Sequence, residues 1–437
     1  MTKWKETEMG EIPENWEVKE LKDVLEHKGY IRGPFGSTLR RPELEKEGIP
    51  VYEQQNAIYN HRIFRFYVSE EKYNKLRRFA VKENDLIVSC SGTFGKVSII
   101  QKDDPKGIIS QALLILRPNT QKINPYFLKY FFTSNKGFQA IESRSLGSVQ
   151  VNIANRGIIE KIELAIPKSR REQDNIVKIL SDLDSKIELN NQMNATLEAM
   201  TQAIFKHWFI DFEFPDENGK PYKSSGGEMV DSELGKIPEG WSISKIGKEL
   251  CTVLGGTPST SKKEYWTSGT VPWINSGKIN EFRIIEPAAY ITEAALNDSA
   301  TKLMPKGTTV LAITGATLGQ VSMIESEMCG NQSVIGILGN QKISSEYIYL
   351  FIKNSIRELI LNQTGGAQQH INKENVDNFG LLVPQDHIMK QFTRTVKLIF
   401  NQISNNCFES LNLSKSRDSL LPKLMSGQIR VPIEVLK

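Results

Sequence analysis

The sequence of 437 residues holds only four cysteines, Cys90, Cys251, Cys329 and Cys407, far apart and with no Cys-x-x-Cys pair. That spacing argues against a zinc site or a disulfide framework and fits a reducing cytoplasm. The five histidines, His27, His61, His207, His370 and His387, are scattered without metal-ligand spacing, so no metal site is expected. No run approaches the roughly 20 apolar residues needed to span a bilayer, and the opening "MTKWKETEMG" lacks an apolar signal segment. Membrane roles drop out, and a cytoplasmic protein is expected. Charge of one sign is lacking too: 55 Lys and Arg against 51 Asp and Glu leave +4, too little to argue for nucleic acid by itself.

Catalytic signatures are missing as well. "SGTFGKV" (Ser91–Val97) resembles a phosphate loop, but Cys90 stands where the first Gly belongs and Val97 replaces the needed Ser or Thr. "INSGKIN" has Pro272 at the Gly position. Pro215-Asp216 opens like a nuclease carboxylate pair, yet no Asp/Glu-x-Lys follows it. "INPYF" lacks the second Pro of an adenine-methyltransferase loop, and there is no convincing Gly-rich cofactor loop. With no reacting constellation, a binding protein is favoured over an enzyme.

What is present is a repeat. "GEIPENW" (Gly10–Trp16) returns as "GKIPEGW" (Gly235–Trp241), 225 residues later. "SGTFGKVS" (Ser91–Ser98) returns as "TGATLGQVS" (Thr314–Ser322), "SQALLIL" (Ser110–Leu116) as "NQSVIGI" (Asn331–Ile337), and "GSVQVNI" as "GGAQQHI". The offset falls from 225 to 224, 221 and 218, the mark of two diverged copies with small gaps.

Each copy ends in a long helical pattern. Ile176, Ile179, Leu180, Leu183, Ile187, Leu197, Met200, Ile204, Phe205 and Trp208 keep near-heptad spacing with no Pro or Gly between them. They predict a helix over 171–209, about 38 residues and roughly 57 Å long. Shifted by 216, the same positions hold Phe392, Thr395, Val396, Ile399, Ile403, Leu413, Ser416, Leu420, Leu421 and Leu424, with Pro422 expected to loosen the last turn. Two such stripes should pair, and the connectivity favours an antiparallel coiled coil with an approximate two-fold axis. The expected seam comprises Ile176, Leu180, Leu183, Ile187, Asn190, Leu197 and Ile204 against Val396, Ile399, Ile403, Asn406, Leu413 and Leu420. Asn190 and Asn406 occupy matching mid-helix positions, and a paired amide contact that fixes register is expected there; the alternative is that both amides face water.

The remaining segments read as α+β domains with mixed sheets. Strand-like runs "DLIVSCSG", "ALLILRP" and "KIELAIP" in the first answer to "TTVLAITG", "SVIGILG" and "FGLLVP" in the second. Helical candidates are "NPYFLKYFFTSNKGFQAI" and "SEYIYLFIKNSIRELIL", and 215–235 reads as a polar linker. The expected boundaries are 1–168, 169–211, 212–384 and 385–437. The first domain carries 27 Lys and Arg against 21 Asp and Glu, and the second 15 against 19. If both bind DNA, the second must rely on placed donors rather than bulk field.

Loop chemistry points the same way. "YIRGPFGSTLRR", "YEQQNAIYNHRIFR", "GGTPSTSKKEYWTSGTVPWINSGKIN" and "LNQTGGAQQHINKEN" concentrate groups that bond base edges and phosphates. Each alone carries little weight, since polar loops are usually solvated surface.

Two half-copies with long helices, together with "RGPFGSTL", "GGTPSTSKKEYW…VPWI" and the closing "LLPKLMSGQI", resemble the specificity subunit of Type I restriction-modification systems over essentially the whole chain. The resemblance implies a non-catalytic reader of double-stranded DNA: two target-recognition domains, each reading one half of a bipartite asymmetric site, separated by two antiparallel helices that set the spacer. It further implies docking of two DNA adenine methyltransferase subunits and work alongside ATP-dependent restriction motor and nuclease subunits. S-adenosylmethionine, ATP and magnesium would belong to those partners and no cofactor to this chain. A coiled-coil adaptor without DNA-reading activity is the competing class, and a standalone methyltransferase or nuclease the third.

Base contacts do not carry over from the resemblance, so the candidates come from loop chemistry. They are Arg32, Ser37, Arg40, Gln54, Asn56, Arg62, Lys96, Arg144 and Gln150 in the first domain, and Thr257, Ser259, Thr260, Lys262, Lys263, Asn275, Lys278, Gln320, Gln368 and Gln369 in the second. Shared positions, such as Gln150 with Gln368, alternatively support backbone turns or phosphate contacts. Trp16 and Trp241 are expected to be structural anchors of each domain's entry.

Overall fold

A computed structural model describes residues 3–143, 155–233, 235–361 and 371–431. The chain divides into two compact units, Met1–Lys186 with Leu413–Lys437, and Ile187–Asn412.

In the first unit a four-stranded antiparallel sheet runs in the order Leu25–Arg32, Leu113–Pro118, Leu86–Ser89, Val97–Ile99. Alternate side chains leave opposite faces of a strand, so Leu86, Val88, Leu114 and Leu116 enter one core while Ile87, Leu113 and Ile115 enter another. Burial on both faces explains the unbroken apolar runs in these strands. The second core lies under a smaller sheet in which Ile49–Tyr52 pairs parallel with Ile108–Ile109 and antiparallel with Tyr67–Val68. The helical pattern after Asn124 is broken in two, Pro125–Thr133 and Asn135–Glu142, because Ser134 turns out to cap the second piece by accepting from the Gly137 amide at 3.2 Å.

The second unit repeats this order with Cys251–Leu254, Val334–Leu338, Thr309–Ala312 and Val321–Met323, again antiparallel. Its smaller sheet also has one parallel pair, Val271–Ile274 beside Met328–Gly330. Here the corresponding helix, Ser345–Leu361, is continuous.

The doubled phrase has a doubled structure. Trp4–Lys5 pairs with Ile12–Pro13, and Met229–Ser232 with Gly235–Pro238, so the end of the expected linker is in fact a strand. Gly10 (φ +89°) and Gly235 (φ +92°) make the same left-handed turn, where a side chain would be strained. Both tryptophans are buried as anchors. Trp16 donates its indole N–H to Glu172 at 3.0 Å, and Asn15 donates to the same carboxylate at 2.9 Å, clamping the phrase to the first turn of the long helix. Trp241 instead packs among Phe209, Phe212 and Phe214.

The long helices are Arg170–Phe209 and Asp386–Met425, 40 residues each. They run antiparallel within each unit. Ile176, Val177 and Leu180 share a core with Leu421, Leu424 and Met425, and Phe205, Trp208 and Phe209 share one with Phe392, Val396 and Phe400. Pro422 does not loosen the last turn: the helix continues to Met425 and closes at Gly427 (φ +72°).

The seam differs from the expected stripe. Ile176, Leu180, Val396 and Ile403 are buried, but Leu183, Ile187, Leu197, Ile204, Ile399, Leu413 and Leu420 are only half-buried, and Met200 is exposed. In the second unit the buried positions of the first helix are Asn190, Asn194, Glu198, Thr201, Phe205, Trp208 and Phe209. Asn190 and Asn406 both lie inside. Asn190 donates to Glu409 at 2.8 Å and to the Asn406 carbonyl at 3.5 Å, while Asn406 donates to Asn194 at 3.0 Å and accepts from Gln402 at 2.7 Å.

Two carboxylates, the half-buried Asp184 and the buried Glu198, fasten helices to domains. In the first unit Asp184 accepts from Tyr130 at 2.7 Å and Arg417 at 2.8 Å. In the second, Glu198 accepts from Tyr349 at 2.9 Å and Lys353 at 2.7 Å and pairs with the buried Arg283 at 3.4 Å. Burial alone would raise both acids, but these hydrogen bonds and positive charges outweigh it and hold both below the usual carboxylate range.

Candidate nucleic-acid interface

In the first unit, three candidate loops leave one edge of the sheets. The Gly33 amide donates to Leu113 O at 2.9 Å, Ser110 N to Tyr52 O at 2.8 Å, and Cys90 N to Ala112 O at 2.9 Å. These bonds gather Arg32–Leu39, Glu53–Ile63 and Ser91–Lys96 around Ser110–Ala112. Gly33 is required, since a Cβ there would sit 2.0 Å from Ser110 O. Gln54 ties two loops together by accepting from the Ser91 amide at 3.1 Å and its hydroxyl at 3.2 Å.

The second unit builds the same edge. Gly255 N donates to Val334 O at 3.0 Å, Gly256 N to Gly330 O at 2.8 Å, Asn331 N to Ile274 O at 2.9 Å and Ile313 N to Ser333 O at 3.0 Å. The loops after Leu254, Ile274 and Ala312 therefore surround Asn331–Ser333. A Cβ on Gly255 would lie 2.2 Å from Asn331 O and one on Gly256 2.7 Å from Thr301 N, which accounts for the Gly-Gly pair.

The predicted residues divide sharply. Arg40 and Lys96 are exposed on the first edge, with the Lys96 ammonium 5.8 Å over the Phe138 ring. Arg32 is half-buried, its guanidinium 5.6 Å over the Phe35 ring. Ser37 lies in the turn Gly36–Thr38, and Gln54 is half-buried in its bond to Ser91. Asn56 is a correction: it is wholly buried, donating to the His61 and Ile63 carbonyls at 3.0 Å and accepting from the Glu53 amide at 2.7 Å. Arg62 is another, because its guanidinium pairs with Asp104 at 2.7 Å and donates to Ile99 O at 2.9 Å. Both build the loop rather than present themselves outward.

On the second edge Thr257, Ser259, Thr260, Lys262, Lys263, Asn275 and Gln320 are exposed. Lys262 donates to the Tyr265 hydroxyl at 2.7 Å, a bond that holds its ammonium above the usual lysine range. Asn275 caps its own turn through the Lys278 amide at 3.3 Å, and Lys278 is half-buried and pairs with Glu281 at 2.5 Å. Arg144, Gln150, Gln368 and Gln369 lie outside the described residues.

Selection by polarity missed the apolar members of the first edge. Phe35, Tyr59 and Ile63 are 62%, 71% and 69% exposed within the loops already chosen. Large apolar groups in a loop rich in Arg, Asn and Gly were the available signal. Also missed were Gln111 and Gln332, exposed at the centre of each edge; they stand in the repeat itself.

Among the described residues no grouping resembles a reacting centre. Burial pushes the Cys90 thiol up to about 12 and Cys329 and Cys407 up to about 11, the opposite of an activated nucleophile. Among the described residues no group of three or more His, Cys, Asp or Glu is placed to hold a metal, and no helix is long and apolar enough to cross a membrane.

One α/β domain built twice, each copy with a polar loop edge and a share of an antiparallel helix pair, defines a duplicated recognition protein. Residues 13–199 and 238–407 each match the Type I restriction modification DNA specificity domain, and the chain belongs to that family. The two matches begin at Pro13 and Pro238, inside the doubled phrase. Among relatives, the Type I restriction enzyme MjaIX specificity subunit of Methanocaldococcus jannaschii is 27% identical over 444 residues, covering 98% of this chain and 97% of that one. The HindI specificity subunit of Haemophilus influenzae is 28% identical over 411 residues, covering 80% and 87%. The crystal structure of the Type I restriction-modification S subunit from M. genitalium shares the fold, with a TM-score of 0.58 at 15% identity over 94% of this chain and 96% of that one.

Proposed function

We propose that this chain is the DNA-reading subunit of a Type I restriction-modification complex. Each globular domain, residues 1–168 and 212–384, reads one half of a bipartite asymmetric site in double-stranded DNA. The paired helices set the spacer and dock two adenine methyltransferase subunits. Methylation and cleavage belong to those partners and to ATP-dependent restriction subunits in the cytoplasm, with S-adenosylmethionine, ATP and magnesium bound there and no cofactor in this chain.

The observation that carries this reading is the loop edge built twice on one backbone plan with different side chains. A shared frame with unshared donors suits two domains that read different sequences in one manner. The candidates for base and phosphate contact are the half-buried Arg32 and the exposed Arg40, Lys96, Thr257, Ser259, Thr260, Lys262, Lys263, Asn275 and Gln320. The test is to map methylated adenines in a host that carries the chain with its modification subunit. A split motif with two constant halves and a fixed gap is expected. A complex that assembles yet leaves DNA unselected would favour an adaptor, and activity from the purified chain alone would favour an enzyme.

A further inference from the structure

Gln111 and Gln332 are equivalent in the repeat, at an offset of 221, and both are exposed. Each sits on the short segment that leads into a central strand, between backbone groups already fixed across the two sheets. Around Gln111 those are the Ser110 amide on Tyr52 O and the Ala112 carbonyl accepting from Cys90 N. Around Gln332 they are the Asn331 amide on Ile274 O and the Ser333 carbonyl accepting from Ile313 N. The backbone beneath each glutamine is therefore pinned on both sides, while the side chain stands where three candidate loops meet. In the second unit the Thr257 hydroxyl donates to Gln332 Oε1 at 2.5 Å, which orients the amide. That contact leaves Nε2 and the second lone pair of Oε1 available to a ligand.

We infer that Gln111 and Gln332 are specificity-determining residues, each reading one adenine in the half-site faced by its own domain. The inference rests on the DNA-reading function proposed above. A carboxamide offers a donor and an acceptor side by side, the complement of adenine N7 and N6–H in the major groove, and no other base edge matches both. The flanking loops differ, Arg32–Leu39 in one copy and Thr257–Ser261 in the other, while the glutamine and its pedestal recur. Two unlike half-sites would then each contain an adenine at the equivalent place.

The test uses the chain assembled with its partner subunits, incubated with a duplex library randomised over both halves of the site, with the retained duplexes sequenced. Gln332→Met and Gln111→Met keep side-chain volume at exposed positions. Each is expected to reduce adenine preference roughly ten- to a hundredfold at a single position, in a different half for each variant. Thr257→Val, which leaves Gln332 in place and removes its anchor, is expected to blunt the position that Gln332→Met relaxes. Unchanged base preferences in both glutamine variants would overturn the assignment. So would a loss of affinity uniform over all sequences, which marks a phosphate contact. A wild-type complex that selects no sequence at all would sink the DNA-reading function, and the glutamine assignment with it.

Discussion

A carboxylate in a helix seam is tolerated only when its partners replace the water it has lost. Glu198 meets that condition through Tyr349, Lys353 and Arg283, whose own charge is buried against the rings of Tyr349 and Phe400. Removing the acid takes from the buried Arg283 guanidinium one of its two carboxylate partners and leaves Glu325 at 3.7 Å, so Glu198→Ala should destabilise the second unit by about 2 kcal/mol, read as a lowered urea midpoint. The pH dependence has a definite sign. Because Glu198 is held below the usual range, its contribution is complete above the ordinary glutamate value of about 4.3 and is lost as pH falls through the lower folded value. The gap between wild type and Glu198→Gln should therefore be wide at pH 7 and narrow at pH 3; a constant gap would contradict the ion-pair account. Asn56 makes the complementary case. Selected for its chemistry, it turns inward, and Asn56→Ala should cost about 2 kcal/mol of stability while leaving base preference unchanged. Residue type told which groups can bond a base edge, but the direction of a side chain depends on carbonyls contributed by His61 and Ile63, which only the folded loop brings together.

At the scale of elements, what was legible follows from periodicity. The strands at Leu86–Ser89, Leu113–Pro118, Thr309–Ala312 and Val334–Leu338 fall within apolar runs visible in the sequence, and both long helices appear where the heptad spacing places them. The seam was less legible, because much of its buried line is polar. A straight helix drifts about 20° per heptad from a strict 3.5-residue repeat, so over 40 residues one apolar stripe does not stay on one face. In the second unit the buried line passes through Asn190, Asn194, Glu198 and Thr201 and leaves Leu189, Met193 and Met200 exposed. The division of the helix after Asn124 was hidden for a related reason: Ser134 reads as a permitted helical residue, and only the cap it forms reveals the break. Helix length carries its own prediction. Inserting four residues into each long helix adds about 6 Å, against about 3.4 Å per base pair of DNA, so the spacer should lengthen by one to two base pairs with both half-sites unchanged. Methylation mapping reads this directly, and an unchanged spacer in a complex that still methylates would remove the helices from spacing.

For the whole molecule, the repeat is the informative feature, since it separates what every copy needs from what each copy does. Both units keep the strand order, the parallel pair in the smaller sheet, the entry hairpin with its left-handed Gly and the buried Trp. They differ in loop chemistry and in net charge, 27 Lys and Arg against 21 Asp and Glu in residues 1–168 and 15 against 19 in residues 212–384. Such a chain should behave as two readers with separate specificities. Replacing residues 1–168 by the first domain of another family member is therefore expected to change one half of the methylated motif completely and to leave the other half and the spacer as they were. The junction lies just before the long helix, so Asn15 and Trp16 must remain able to bond Glu172; a chimera that lacks them should lose assembly rather than specificity. Assembly, followed by co-purification of the modification subunit, distinguishes that failure from a change in reading. If an assembled chimera altered both halves at once, the two domains would not be independent readers, and the duplication would have to be explained by folding alone.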